Sequence, residues 1–98
     1  MTREEILQKL RESRDKLRQF GVKRIGIFGS AVRDELREDG DIDVIVEFEE
    51  GKKNFDNFIE LAFFLEELFD RKVDLITPQS VSPFVKPYIE KEVLFEAM

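Results

Sequence analysis

Cysteine and histidine are both absent from this sequence of 98 residues. Without cysteine there are no disulfides, no thiolate zinc sites and no cysteine nucleophile, and without histidine no imidazole can act as a general base. Any metal must therefore bind oxygen ligands. Carboxylates suit hard cations such as Mg²⁺ or Mn²⁺, and proteins usually hold Mg²⁺ with one or two carboxylates plus the phosphates of a substrate.

Long apolar segments are missing as well. No run approaches the roughly 18 apolar residues that a membrane helix needs, and the amino terminus lacks the charged-then-apolar pattern of a secretion signal. We therefore expect a soluble, cytoplasmic protein with no membrane partner. A chain of this length predicts a single domain, residues 1–98, built around one small core.

Positive charge is scarce, because 16 lysines and arginines stand against 22 acidic residues, giving a net charge of −6. Phosphate backbones require a continuous basic surface, so this balance argues against general nucleic-acid binding. A nucleotide that brings its own Mg²⁺ remains compatible with it. Phenylalanine is plentiful, with ten in the chain, and we expect some of these side chains to face a partner as well as the core.

Helical and strand patterns alternate along the chain, which predicts an α/β or α+β fold with a small mixed β-sheet flanked by helices. A capping box at residues 2–5 begins the first helix. The helix at 55–69 is apolar nearly all round, more than one core-facing stripe requires. The predicted elements are helices at 3–20, 31–37, 55–69 and 83–91, strands at 22–28, 41–48 and 72–77, and a segment at 93–95 that fits either a short strand or a continued helix.

Two aspartates, Asp41 and Asp43, occupy alternate positions of the second predicted strand. Strand side chains alternate between faces, so these two carboxylates share a face about 6.6 Å apart. Like charges this close repel each other unless a cation lies between them, which indicates a divalent-metal site. If the third strand pairs beside the second, Asp74 supplies a third carboxylate on the same face.

Gly29 and Ser30 interrupt the apolar run that precedes these aspartates. A glycine turn lets backbone amides approach a phosphate closely, and the serine hydroxyl can donate to a phosphate oxygen. Arg33, placed one turn into the predicted helix that follows, could reach the same anion. The sequence therefore predicts a phosphate-binding turn next to the metal site.

Chance alone explains part of this pattern. With 8 aspartates in the chain, a lone Asp-x-Asp is expected about 0.6 times, whereas adding Gly-Ser at this upstream distance lowers the expectation to roughly one in a thousand. The combined motif therefore indicates function. Taken singly, Asp74 could be a solvated edge residue and Arg33 a surface charge.

At these residues the sequence resembles the minimal nucleotidyltransferases of the DNA polymerase β-like superfamily. Their signature is Gly-Ser, about ten residues, Asp-x-Asp, and a third acid on a later strand. Here it is formed by Gly29-Ser30, Asp41-Ile42-Asp43 and Asp74. The resemblance covers nearly the whole chain and implies a palm-like nucleotidyltransferase fold. One departure is Gly40, where relatives often carry serine or threonine, and it removes a hydrogen bond near the site.

The resemblance implies transfer of AMP from ATP to an acceptor hydroxyl, with release of pyrophosphate. Two Mg²⁺ ions, or Mn²⁺, held by the three aspartates would lower the pKa of the attacking hydroxyl and offset charge on the leaving oxygens. Ser30 and the Gly29 turn would hold the phosphates. Stand-alone members of the family are commonly encoded beside a HEPN ribonuclease toxin and act as its antitoxin, in some cases by adding AMP to a tyrosine of the toxin.

Three functions remain open from the sequence. The first is a metal-dependent adenylyltransferase that modifies a partner protein, and the three acids favour it. The second is an antitoxin that masks its HEPN partner by contact alone. The third is a nucleotidyltransferase for RNA ends or a small molecule, which fits the motif but not the acidic charge. The apolar helix at 55–69 also allows a homo-oligomer.

Overall fold

The computed structural model describes residues 1–96 as helices around a four-stranded sheet. Ala97 and Met98, which the predicted domain includes, lie outside the described residues. The elements are helices α1 (Arg3–Glu12), α2 (Arg14–Gln19), α3 (Phe55–Phe69) and α4 (Lys86–Glu92), and strands β1 (Val22–Phe28), β2 (Ile42–Phe48), β3 (Val73–Ile76) and β4 (Leu94–Glu96). No helix within residues 1–96 has the length and apolar character needed to cross a membrane.

The sheet has the strand order β3-β2-β1-β4. β2 and β3 are parallel, whereas β1 pairs antiparallel with both β2 and β4. The predicted small mixed sheet flanked by helices is therefore confirmed. The ambiguous segment at 93–95 forms a strand, with Leu94 opposite Ile27 of β1.

Alternation along β2 separates the core from the opposite face of the sheet. Every second residue of this strand is buried in the same apolar cluster as residues of α1 and α3; these residues are Ile42, Val44, Val46, Ile6, Leu61 and Leu65. Because strand side chains alternate, Asp43 and its same-face neighbours project away from these helices. Asp43 thus belongs to the face that α1 and α3 leave open, and Asp41 lies immediately before this strand.

The single helix predicted at 3–20 is wrong, because the chain forms α1 and α2 with a break at Ser13. The predicted capping box is present, with the Thr2 side chain accepting from Glu5 N–H and Glu5 accepting from Thr2 N–H. Between the buried Leu10 and Leu17, the next core-facing position falls on Ser13. Serine has lower helix propensity than alanine or leucine and offers little apolar area to bury, so neither propensity nor packing stabilises a continuous helix at this position.

The short helix predicted at 31–37 is also wrong. A 3₁₀ segment covers Gly29–Ala31, and Asp34 then adopts a left-handed conformation with φ 57°. The Asp34 carboxylate accepts a hydrogen bond from the Arg3 backbone N–H at 2.6 Å. Seven residues are too few to form a stable helix alone, and this contact with the start of α1 favours the turn instead.

The last helix begins at Lys86, three residues later than the predicted start at Pro83. Ser82 still organises this region, because its hydroxyl accepts from Phe84 N–H and its carbonyl from Lys86 N–H. Pro87 has no N–H to donate to the carbonyl four residues earlier. Because of this missing donor, the helix cannot extend back to Pro83, and its hydrogen bonds begin with those that Tyr88 and Ile89 donate to the Val85 carbonyl.

Helix α3 follows its prediction and is more apolar than its buried face requires. Leu61, Leu65 and Phe69 are buried, whereas Phe63 is 66% exposed and Phe55 is 75% exposed. Part of the phenylalanine content therefore lies at the surface, and the expectation that these side chains face a partner stays a prediction.

Candidate active site

Parallel pairing of β2 and β3 brings two acidic side chains together. Asp43 lies directly opposite Asp74 in the register of these strands, so both carboxylates project from the same face. Asp41 lies one residue before β2, in an exposed position. The three predicted aspartates thus lie at one end of the sheet, with Asp43 and Asp74 on the face that the core helices leave open.

The environment of Asp43 disfavours its negative charge. Burial raises the pKa of the half-buried Asp43 carboxyl, and the negative charges of Asp74 and Asp41 raise it further. Glu92 acts in the same direction, whereas the positive charge of Arg33 lowers this pKa. The folded protein therefore holds several negative charges close together with incomplete compensation.

Asparagine at position 43 should raise the melting temperature of the nucleotide-free protein at pH 7. A raised pKa means that ionised Asp43 is less favourable in the folded than in the unfolded state, so a neutral amide removes a cost. For a group this exposed we expect a gain of about 2 °C. The gain should disappear as the pH falls through the raised pKa, because the wild-type carboxyl is then protonated.

Thermal unfolding of Asp43→Asn beside the exposed variant Asp39→Asn measures this effect. A melting temperature below that of the wild type at pH 7 contradicts the proposed repulsion.

Gly29 lies where the turn after β1 approaches the Asp43 carboxylate. Its φ of 68° is in the left-handed region, and a Cβ at this position would collide with the Asp43 carboxylate. Glycine is therefore required here for two reasons, the backbone conformation and the lack of space. Ser30 follows it in the 3₁₀ segment.

Glu92, at the end of α4, also contacts this turn. Its Oε1 accepts a hydrogen bond from the Gly29 N–H at 2.8 Å, and its Oε2 accepts from Nη1 of Arg33 at 2.9 Å. The Arg33 Nε donates to Glu35 at 2.6 Å. Glu92 lies outside the predicted motif, because only the pairing of β4 with β1 brings this distant residue to the site.

The potential metal ligands near Asp43 are carboxylate oxygens, which suit Mg²⁺ or Mn²⁺. Within residues 1–96, however, no three acidic side chains converge closely enough to form a metal-binding group on their own. Mg²⁺ is commonly completed by substrate phosphates. The site therefore fits a metal ion that is bound together with a nucleotide. The negative charges around Asp43 would attract this cation.

Comparison with known proteins gives the family. The model of the nucleotidyltransferase domain family matches residues 7–97. This chain belongs to that family. The nucleotidyltransferase is 41% identical to the protein adenylyltransferase MntA of Thermococcus cleftensis, over 97% of this chain and 96% of the relative. It is 40% identical to a Methanocaldococcus jannaschii protein assigned as a protein adenylyltransferase, over 96% and 97% of the two chains.

Solved structures show the same fold. A structure assigned as a minimal nucleotidyltransferase has a TM-score of 0.75 and 31% identity, covering 96% of this nucleotidyltransferase and 95% of that chain. A complex of a tri-AMPylated Shewanella oneidensis HEPN toxin with an MNT antitoxin has a TM-score of 0.62 at 24% identity, covering 91% and 70%. The resemblance to minimal nucleotidyltransferases inferred from the motif is thus confirmed.

Proposed function

We propose that this nucleotidyltransferase moves AMP from ATP to a hydroxyl of a partner protein and thereby acts as the antitoxin of a HEPN toxin. The observation that carries the proposal is the β2–β3 register, which places Asp43 beside Asp74 next to Asp41 and the Gly29 turn. The relatives named as protein adenylyltransferases support the choice of a protein acceptor.

In the proposed site Asp41, Asp43 and Asp74 would hold the two divalent metal ions. When bound, these ions would lower the pKa of the attacking hydroxyl and offset charge on the leaving phosphate oxygens. Ser30 donates its hydroxyl to a phosphate of ATP, and the half-exposed Arg33 adds a positive charge beside it. This arrangement needs no imidazole base, which agrees with the absence of histidine.

The proposed reaction joins the acceptor oxygen to the α-phosphorus of ATP. The bond between this phosphorus and the oxygen bridging to the β-phosphate breaks, pyrophosphate leaves, and the proton of the acceptor hydroxyl passes to solvent. We propose a tyrosine of the HEPN partner as the acceptor. The structure of an AMPylated HEPN toxin bound to an MNT antitoxin of the same fold supports this choice.

The partner would dock on apolar side chains that the fold leaves at the surface. Phe55 and Phe63 of α3 are exposed, and Phe84 and Tyr88, in the turn before α4 and in α4 itself, are 88% and 72% exposed. Large exposed apolar groups are typical of interaction surfaces. They are compatible with a homo-oligomer as well, and light scattering of the isolated chain distinguishes the two uses.

The test is mass spectrometry of a HEPN protein that is encoded beside this chain or co-purifies with it, after incubation with this protein, ATP and Mg²⁺ or Mn²⁺. We expect a mass increase of one or more AMP groups, located on tyrosine by fragmentation. The methylene analogue of ATP that cannot break between the α- and β-phosphates serves as the control, because it can bind but not transfer. If the HEPN partner stays unmodified but its toxicity is still blocked, this would support masking by contact. AMP found on RNA ends would instead support a nucleotidyltransferase for RNA ends.

A further inference from the structure

We propose that Glu92 is a positioning residue that holds the Gly29 turn and Arg33 in place for the triphosphate of ATP. This inference rests on the proposed function, since it assigns the triphosphate to these groups. It concerns a residue 63 positions away from Gly29 in the chain, outside the Gly-Ser and Asp-x-Asp motif.

The strand register places Glu92 at the turn. Leu94 of β4 lies opposite Ile27 of β1, so continuing this antiparallel register by two residues puts Glu92 opposite Gly29. Glu92 belongs to α4 and not to β4, so the backbone hydrogen bonds between β1 and β4 do not continue to this position. The Glu92 carboxylate takes their place, accepting from the Gly29 N–H at 2.8 Å.

The position of Glu92 is itself fixed from two sides. β4 follows it after one residue and is bound to α1 by the ion pair between Arg11 and the buried Glu96, at 2.7 Å. Ile89, one turn earlier in α4, is buried. Because the Glu92 carboxylate is held in this way, it can fix the position of the Gly29 turn. This turn lies against Asp43.

Arg33 keeps free donors while Glu92 orients it. Arginine has five N–H donors, and two of them bind Glu92 and Glu35. Three N–H groups therefore remain for phosphate oxygens. Glu92 is the less exposed of the two partners, since its side chain is 32% exposed while that of Glu35 is 63% exposed; unlike Glu35, it also binds the Gly29 turn.

A different role would have the opposite consequence. If the Glu92 carboxylate occupied the place of a phosphate, its removal would strengthen ATP binding, since a competing negative charge would be lost. If Glu92 positions the turn, its removal weakens ATP binding. The sign of the change in ATP affinity therefore separates the two roles.

Three variants separate the contacts of Glu92. Glu92→Ala loses the contacts with both the Gly29 N–H and Arg33. Glu92→Gln keeps an amide oxygen for the Gly29 N–H but cannot accept from Arg33 as a carboxylate does. Glu35→Gln is the matched control that loses only the exposed pair with Arg33. The measurements are kcat and KM for ATP in AMP transfer to the HEPN partner, and hydrogen exchange of the Gly29 amide in the nucleotide-free protein.

We expect Glu92→Ala to raise the KM for ATP about tenfold, with a smaller change in kcat, and to speed exchange of the Gly29 amide about tenfold. Glu92→Gln should keep this amide protected and raise KM about threefold, as one contact of two is lost. Glu35→Gln should stay within about twofold of the wild type in both measurements. Melting temperatures confirm that each variant is folded.

Tighter ATP binding by either Glu92 variant overturns the proposal, and so does an unchanged KM and exchange rate in Glu92→Ala. A wild-type protein that transfers no AMP instead overturns the proposed function. An active wild type with Glu92→Ala at the same KM overturns the role of Glu92 alone, so the two failures are distinguishable.

Discussion

Replacing Asp41 and Asp43 together by asparagine should abolish the proposed AMP transfer while leaving the complex with the proposed HEPN partner intact. Asparagine keeps the size of each side chain but removes the two charges that we propose hold the metal. Metal ions supply several kcal/mol of charge stabilisation in such reactions, so we expect a loss of about a thousandfold or more in rate. The proposed docking residues, such as Phe63, lie on other elements, so binding should persist.

The matched control for this experiment is Asp39→Asn. Asp39 precedes Asp41 by the same two-residue spacing that separates Asp41 from Asp43, but it lies in an exposed turn outside the strand. This variant should keep wild-type transfer. A pull-down with the HEPN protein then measures binding, and a co-expression growth assay measures protection of the cells from the toxin. Full protection by the Asp41→Asn/Asp43→Asn variant would overturn catalysis as the mode of neutralisation.

Alanine at position 29 should lower both the stability and the activity of this protein. It places a Cβ in the left-handed backbone region and drives it into the Asp43 carboxylate. The backbone cost is about 1 to 2 kcal/mol, and overpacking adds about 1 to 3 kcal/mol. We expect a melting temperature lower by about 10 °C or more and a fall in kcat/KM of about a hundredfold, because small misplacements of reacting groups have effects of this size.

Gly51→Ala separates the two causes. Gly51 has a similar φ of 80°, but no other atom of the described residues lies within 4 Å of an added Cβ. This variant should show the backbone cost alone, about 5 °C in melting temperature, and keep its activity. In a second comparison, Gly29→Ala should cost less in an Asp43→Ala background, because the collision is gone. Equal losses for Gly29→Ala and Gly51→Ala contradict the proposed contact.

Local patterns predicted most of the fold well. The alternation of β2 and the apolar pattern of α3 each depend on burial against one core, which repeats regularly enough to be visible in sequence. The errors fell where a single residue or a tertiary contact decided the outcome. Ser13 interrupts the first helix, Pro87 delays the last one, and the contact between Asp34 and Arg3 replaces a short helix by a turn.

The candidate site was predictable to a similar degree. Asp41, Asp43 and Ser30 lie within one short motif, and Asp74 could be assigned on the condition that its strand pairs beside β2, which the structure satisfies. The metal and phosphate roles of these residues remain predictions. Arg33 was expected on a helix and lies instead in a turn, bound to Glu35 and Glu92.

The sequence by itself determined the class of fold, the acidic motif and the chemistry that the chain cannot perform, because composition and strand alternation are local properties. Only the tertiary structure decided that Asp74 lies beside Asp43, that the space next to Gly29 is filled by the Asp43 carboxylate, and that Glu92 reaches the turn. These three facts join residues that are 14 to 63 positions apart. Strand register sets such contacts, and register depends on the packing of the whole sheet.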